Sequence, residues 1–337
     1  MEPVEALERI ADLLVRGREP RYKSQAFRRA ANEIKRVPIE ELRRLDEIGK
    51  LQDIPGVGEK TAAVISEALA GETPEYLAKL LEHAPDPGSH AGEALRVQLR
   101  GDLHGHSDWS DGGHTIRAMA EKARAIGHDY FALTDHSPRL TVANGLSRER
   151  LLEQLDVVAA LNEELAPFRI LTGVEVDILD DGALDHADDI LARLDFVVAS
   201  VHSKLRMDSK DMTKRMVNAI SHPEVDVLGH CTGRLLVGRG RPESQFDHDV
   251  VLDALDAHDT ALEINSRPER LDPPKEMLRA AVTEGLRFSV STDAHATDQL
   301  EWQVYGTDRA AECGVRAEQI VNTMTADDLL AWSHARA

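Results

Sequence analysis

Six histidines and three carboxylates stand in short segments scattered over almost two hundred residues, and their types are those of a metal-ion centre. The segments are Asp102–His106 (DLHGH), Ser110–Gly112 (SDG), Thr134–His136 (TDH), Gly173–Glu175 (GVE), Ser200–His202 (SVH), Gly229–His230 (GH) and Asp293–His295 (DAH). Imidazole and carboxylate in this ratio, with no cysteine among them, suit Zn2+, Mn2+ or Fe2+. The chemistry to expect is hydrolysis, because such ions acidify water and stabilise developing negative charge. A lone His-x-His pair is weak evidence. The weight lies in recurrence, since nearly every strand-like stretch ends in His, Asp or Glu. Gly105 is expected to let the backbone turn so that His104 and His106 reach one ion. Of the other nine histidines, His114 stands out because it is close to Asp111, and the rest are expected in surface or capping roles.

Ligands this far apart in sequence need a scaffold that returns each to one place. From Leu95 onward, apolar β-branched runs alternate with helical patterns. The strands expected are Arg96–Leu103, Tyr130–Thr134, Ile170–Val176, Phe196–Val201, Val225–Leu228, Ala261–Asn265 and Phe288–Thr292. Helical spacing fills the gaps, as in Thr115–Ile126 and Arg148–Leu165. Seven strands alternating with helices imply an α/β parallel barrel, which delivers side chains to the C-terminal ends of its strands. The first part of the chain reads differently. Helical patterns at 4–16, 21–36, Ile39–Ile48, a run ending at Ala70 before Gly71, and Pro74–Glu82 imply a small all-α domain. The domains expected are therefore 1–82 and 95–337. A linker at 83–94 is marked by Pro85, Pro87, Gly88 and Gly92.

Composition narrows the classes. At 337 residues and 42% apolar, the chain can bury one large core and one small one. No run of about 18 apolar residues occurs, so no membrane partner is expected. Met1–Arg21 lacks an apolar segment, and Cys231 and Cys313 are the only cysteines, so a reducing cytoplasm is the expected location. The net charge of −20 argues against a general nucleic-acid binder. It is uneven, however. Residues 1–90 carry 14 basic and 17 acidic side chains, and the remainder 26 and 43. Arg18–Arg44 holds nine basic residues against four acidic ones.

Gly101–Ser107, Thr134–Ser137, Gly173–Asp177, Gly229–His230 and Ser291–His295 together resemble the PHP (polymerase and histidinol phosphatase) family, over roughly Arg96 to Ala331. Val142–Leu146 (VANGL), Asp177–Gly182 (DILDDG) and Thr232–Leu236 (TGRLL) are similar to the PHP domain at the C-terminus of bacterial family-X DNA polymerases. The resemblance implies a distorted seven-stranded (β/α)7 TIM-like barrel with three divalent metal ions, Mn2+, Zn2+ or Fe2+. It implies that His104, His106, Glu175 and Asp293 hold one ion. Glu175 would bridge to a second, held also by His202 and His230. Asp111, His136 and His295 would hold the third. Three divalent ions against three carboxylates leave about three net positive charges, an attractive seat for a phosphate. Hydroxide held by the ions is the expected nucleophile, with Asp293 and Glu175 indispensable. Arg234 and Arg270 follow strand ends and are candidates to clamp phosphate, with surface salt bridges as the other reading; Lys204, two residues after His202, is a further candidate, and Cys231, next to His230, is expected to stand behind the ligands.

Ile54–Lys60 (IPGVGEK), between two helices, resembles a helix-hairpin-helix motif, and Tyr22–Ala31 resembles the lyase-type domain of family-X polymerases. A tight glycine turn exposes amides at a helix N-terminus, and these bind one backbone phosphate without reading bases. Gly56, Val57, Gly58 and Lys60 are the DNA-binding candidates, and the resemblance adds Lys23 and Arg28. The lyase members carry a nucleophilic lysine where this chain has Val64, so no lyase activity is expected. The short linker leaves no room for a polymerase palm, so no DNA synthesis is expected. The favoured function is a metal-dependent phosphoesterase that processes DNA ends or nicks. The alternatives are a small-molecule phosphatase of the histidinol-phosphate type and a non-catalytic DNA-binding protein.

Overall fold

A computed structural model describes residues 1–17, 19–82, 89–237 and 239–335. The chain divides into two compact units, one spanning Met1–Pro87 and one built from Gly88–Leu236 and Arg241–Ala337. No helix of the described residues is long and apolar enough to cross a membrane.

The first unit is all helical: α1 Pro3–Arg16, α2 Arg21–Ile34, α3 Ile39–Glu47, α4 Glu59–Leu69 and α5 Glu75–Glu82. Pro3 opens α1, where its missing N–H costs nothing. Leu7, Ile10, Ala11 and Leu14 of α1 pack with Phe27, Ala30, Ala31 and Ile34 of α2 in one fully buried cluster. Gly71, at φ +81°, follows the last turn of α4. The locally basic stretch is partly neutralised within the unit: Lys23 pairs with Glu19, Lys35 with Glu8 and Arg44 with Glu41, each at 2.6 Å.

The second unit runs α6 (His90–Arg96), β1 (Gly101–Gly105), α7 (Ile116–Ala125), β2 (Tyr130–Leu133), α8 (Arg148–Leu165), β3 (Arg169–Asp177), α9 (Asp188–Leu191) and β4 (Phe196–Ser200). It continues with α10 (Ser209–Ile220), β5 (Val227–Leu228), α11 (His248–Ala257), β6 (Ala261–Asn265), α12 (Lys275–Glu284), β7 (Phe288–Ser291), α13 (Gln303–Cys313) and α14 (Ala326–His334). All seven strands are parallel and hydrogen-bonded in sequence order. The ring nearly closes where Gly105 bridges Ala294, with His106 N–H donating to the Ala294 carbonyl at 2.8 Å. The result is a distorted (β/α)7 barrel.

Every residue of β1, β2, β4, β6 and β7 is buried, as expected of strands covered on both faces. The faces alternate. Phe196 and Val198 of β4 pack in a cluster with Leu329 and Trp332 of α14. Val197 and Ala199, one step along, pack in the cluster that holds Met212 and Met216 of α10.

Two expectations are corrected. Arg96 ends a helix rather than starting a strand, and β1 begins at Gly101. Residues 90–94, read as linker, belong to that helix, whereas 83–88 lie outside the described residues. Ser89 caps it by accepting from the Gly92 N–H at 2.9 Å. Gly92 is a close-packing residue: a Cβ there would lie 1.9 Å from Asp308 Oδ1.

Candidate metal centre

Six of the seven strand ends supply a part, β6 being the exception. His104 lies in β1 and His106 just beyond it; His136 follows β2, Glu175 lies in β3, His202 follows β4, His230 follows β5, and Asp293 and His295 follow β7. Asp111 comes from the loop after β1. Gly105 works differently from the turn expected of it. His104 and His106 share a face because they are alternate residues, with ring centroids 5.2 Å apart. Glycine is needed between them because a Cβ would sit 2.6 Å from the Phe131 ring.

All nine expected ligands converge. Glu175 is at the middle. Its Oε2 lies 3.2 Å from His104 Nε2, 3.5 Å from His106 Nε2 and 2.9 Å from His136 Nδ1. Its Oε1 lies 3.3 Å from His202 Nε2 and 2.9 Å from His230 Nε2. Asp111 Oδ1 is 3.5 Å from His136 Nε2 and 3.3 Å from His295 Nε2. Asp293 Oδ1 is 3.5 Å from both His106 Nε2 and His295 Nδ1. Three groups have ligand atoms close enough together for one ion each: His106, Asp111, His136 and His295; His104, His106 and Glu175; and His136, Glu175 and His202. His106 therefore also adjoins the group expected of Asp111, His136 and His295.

These atoms fit a cation better than they fit one another. His104 Nε2, His106 Nε2, His136 Nδ1 and both Glu175 oxygens are buried and make no hydrogen bond of acceptable geometry, despite approaching to 2.9–3.5 Å. Buried ring nitrogens and carboxylate oxygens directed at a common centre, without hydrogen-bond partners, are what a divalent ion resolves.

The protonation pattern agrees. Burial opposes the Glu175 carboxylate, yet His104, His202 and His136 hold it well below the usual range. Burial likewise opposes imidazolium at His104 and His202. Glu175 with Glu263 outweighs it at His104, and Glu175 with Asp177 raises His202 to about 9. His106, buried and facing His295 and His136, falls to about 3. Burial opposes the Asp293 carboxylate too, but Arg267 and His106 hold it well below its ordinary value.

Because His202 is raised above the usual imidazole value of about 6.5, its contribution to ion-free stability is complete below that pH and is lost as pH rises through about 9. Metal ions need the deprotonated ligands and so bind more tightly over the same range. The rise in Tm that Mn2+ produces over a chelated sample should therefore grow from pH 6 to 9. Thermal scans across that range check this, and a constant or shrinking shift contradicts it.

The outer contacts were harder to foresee. Glu263, on β6 and fully buried, lies 2.6 Å from His104 Nδ1 and accepts from the His230 N–H at 2.6 Å. Asp177 is 3.2 Å from His202 Nδ1. Asp135 accepts from Ser107 N–H and from the Ser107, Ser110 and Gln154 side chains, which fixes the start of the loop carrying Asp111. Arg267 Nη1 lies 3.2 Å from Asp293 Oδ1 and 2.9 Å from His295 Nδ1. One signal for Glu263 was available: an acid at an inward position of a buried strand seldom stands there without a partner.

The arginine expectations divide. Arg270 faces the centre, its Nε 3.4 Å from Asp293 Oδ2. Arg234 is corrected. Its guanidinium donates to the carbonyls of Arg270 and Leu271 and to Glu243, so it braces a loop rather than offering a phosphate clamp. Lys204 pairs with Asp180. Cys231 is buried 3.8 Å from Asp272 Oδ1, and burial pushes its thiol up. His114 is outside the three groups; its Nδ1 faces Thr297 N–H at 3.4 Å.

In the helical unit, Ile54–Lys60 forms the hairpin before α4. Gly56, at φ +80°, sits where a Cβ would press to 2.9 Å on Arg29 Cγ. Two of the expected phosphate donors are already used: Val57 N–H bonds the Ile54 carbonyl and Gly58 N–H the Thr61 hydroxyl. The first intrahelical bond of α4 runs from Ala62 N–H to the Gly58 carbonyl, so the amides of Glu59 and Lys60 precede the helical ladder. Lys60 Nζ is 5.7 Å from the Tyr76 ring, Lys23 is held by Glu19, and Arg28 is near Asp12.

Comparison with known proteins adds to the geometry. Residues 1–74 match the family model described as a helix-hairpin-helix domain, and residues 102–267 match the PHP domain. The chain is 42% identical over 235 residues to the DNA polymerase/3′-5′ exonuclease PolX of Bacillus subtilis, covering 70% of this chain and 41% of that protein. It is 30% identical over 238 residues to a probable phosphatase of Acetivibrio thermocellus, covering 66% of this chain and 90% of that one. Among solved structures, a histidinol phosphate phosphatase of Lactococcus lactis is similar at 17% identity and a TM-score of 0.45, over 65% of this chain and 95% of that one. With nine-tenths of one relative aligned and the PHP domain matched across β1 to β6, the chain belongs to the PHP family of metal-dependent phosphoesterases.

Proposed function

We propose that this protein trims or unblocks the 3′ ends of DNA. The reactions that suit it are 3′-to-5′ exonucleolysis, removal of a 3′ phosphate, and incision at an abasic site. The observation that carries the reading is the pairing in one chain of a helix-hairpin-helix domain with a PHP domain, alongside 42% identity to a protein named as a 3′-5′ exonuclease.

Our ligand assignment keeps His104, His106, Glu175 and Asp293 for one ion, His202 and His230 with Glu175 for a second, and Asp111, His136 and His295 for a third. Bound divalent ions supply Lewis-acid charge and an acidified water at neutral pH. The protein supplies the rest. Glu175 brings a negative charge to the middle of the centre, 2.9–3.3 Å from the ring nitrogens of His104, His202 and His230. Asp293 stays ionised between Arg267 and Arg270. Arg270 gives a phosphoryl oxygen a charge-assisted donor beside the cluster. The first-turn amides of α4, with Lys60, grip a backbone phosphate. Lys23 and Arg28 act only if DNA displaces Glu19 and Asp12.

A second reading, a small-molecule phosphatase, is favoured by the charge of residues 91–337. Their 26 basic and 43 acidic side chains repel a polyanion. The 30% identical probable phosphatase, nine-tenths of which is covered, favours it too. The dependence of DNA affinity on salt separates the two. End processing predicts a steep fall between 50 and 200 mM salt, with a log–log slope shallower by about 1 in Lys60→Glu. Absence of DNA binding alongside rapid hydrolysis of histidinol phosphate supports the small-molecule reading instead.

A further inference from the structure

We propose that the ion-binding groups of this centre are unequal, and that the group of Asp111, His136 and His295 holds an exchangeable ion because Arg267, not a carboxylate, stands behind it. The proposal rests on the metal-centre assignment above.

The difference is in what lies behind each imidazole. His104 turns Nδ1 to Glu263, 2.6 Å away and fully buried. His202 turns Nδ1 to Asp177 at 3.2 Å. The second oxygen of Glu263 fixes the backbone N–H of His230. A carboxylate behind a histidine accepts its Nδ1–H, leaves the Nε2 lone pair facing the ion, and raises the basicity of the ring.

His295 has the opposite arrangement. Its Nδ1 faces Arg267 Nη1 at 2.9 Å and the Asp293 carbonyl at 2.9 Å. The same guanidinium nitrogen lies 3.2 Å from Asp293 Oδ1, but that oxygen belongs to the first group, which Glu175 also serves with a second carboxylate. Arg267 is held in place: it donates to Glu269 Oε1 at 3.0 Å and lies 5.6 Å from the Trp302 ring. A fixed cation behind a ligand lowers the ligand's basicity and repels a metal ion in front of it. His136, in the same group, has no carboxylate of its own; its Nδ1 meets Glu175 Oε2, which also faces His104 and His106.

Access points the same way. The side chains of Asp111 and His295 are 36% and 20% exposed, whereas His104 and His106 are at 0% and Glu175 at 1%. Two of the three side chains of this group are thus more exposed than His202, which at 12% is the most exposed ligand of the other groups.

The test uses the full chain loaded with Mn2+ and dialysed against graded chelator, with bound Mn2+ per chain read by atomic emission. Release should come in two steps, the first at chelator strength about 10–100-fold lower than the second. Asp111→Asn should lose the early step and keep the late one. Arg267→Gln should move the early step toward the late one by about tenfold. Release in one step overturns the inequality, and an early step that persists in Asp111→Asn overturns its assignment. An early step unmoved in folded Arg267→Gln overturns the role of the guanidinium. If that variant fails to fold because Glu269 is stranded, the wild type and Asp111→Asn still decide. A folded wild type that binds no Mn2+ refutes the metal centre itself, a different failure from equal affinities.

Discussion

Glu175→Gln should abolish hydrolysis while leaving the barrel folded. The substitution keeps the shape and removes the charge. Both oxygens of Glu175 are buried, without hydrogen bonds of good geometry, and within 2.9–3.5 Å of five imidazoles. An amide offers one acceptor oxygen in place of two, and its NH2 turns protons toward ring nitrogens that must present lone pairs. Glu175 is the carboxylate assigned to two of the ion-binding groups, so its loss would weaken both. Turnover of bis-p-nitrophenyl phosphate should fall more than about a thousandfold, or ~4 kcal/mol of transition-state stabilisation, and bound Mn2+ should drop with it. The far-ultraviolet circular dichroism should not change. A variant keeping a tenth of wild-type turnover would remove Glu175 from the centre of the chemistry.

Gly56→Val should separate the proposed DNA grip from hydrolysis. Gly56 adopts φ +80°, a backbone that a β-branched residue enters only under strain, and its new side chain would press on Arg29. The expected strain is about 1–3 kcal/mol, concentrated on the turn that sets the start of α4. DNA affinity should fall by about tenfold or more, equivalent to ~1.4 kcal/mol. Hydrolysis of a small phosphodiester should stay near wild type, because the nine ligands all come from the other unit. Fluorescence anisotropy with labelled duplex DNA, run beside a chromogenic assay, measures both. Unchanged DNA affinity in a folded variant would dismiss the hairpin as the phosphate grip.

Much of this architecture was legible because its signals are local. A β-branched run that ends in histidine, such as Phe196–Ser200 before His202, marks both a strand and its C-terminal end. All seven expected strands exist within a few residues of their expected limits, Ala261–Asn265 without any change. The convergence of the nine expected residues was legible for the same reason, since types and strand ends are written in sequence.

What escaped depends on neighbours far along the chain. Arg234 follows a strand end as a phosphate clamp does, but its partners at Arg270 and Leu271 lie 36 and 37 residues away. Arg267 came two residues after β6 and carried no sign that it would meet Asp293 and His295. Gly92 looked like linker punctuation, whereas its meaning is the close approach of Asp308 on α13. Gly105 looked like a turn and proved to be room for an aromatic ring. Glycine reports that a side chain is unwelcome; sequence alone does not say whether backbone or a neighbour forbids it.

The most direct measurement is the fate of 3′-recessed, labelled duplex DNA incubated with Mn2+, beside the Asp293→Ala variant. The account predicts that the wild type shortens the recessed strand or removes its 3′ phosphate, and that Asp293→Ala, still folded, does neither. Intact DNA after incubation with a wild-type protein that hydrolyses histidinol phosphate would contradict it.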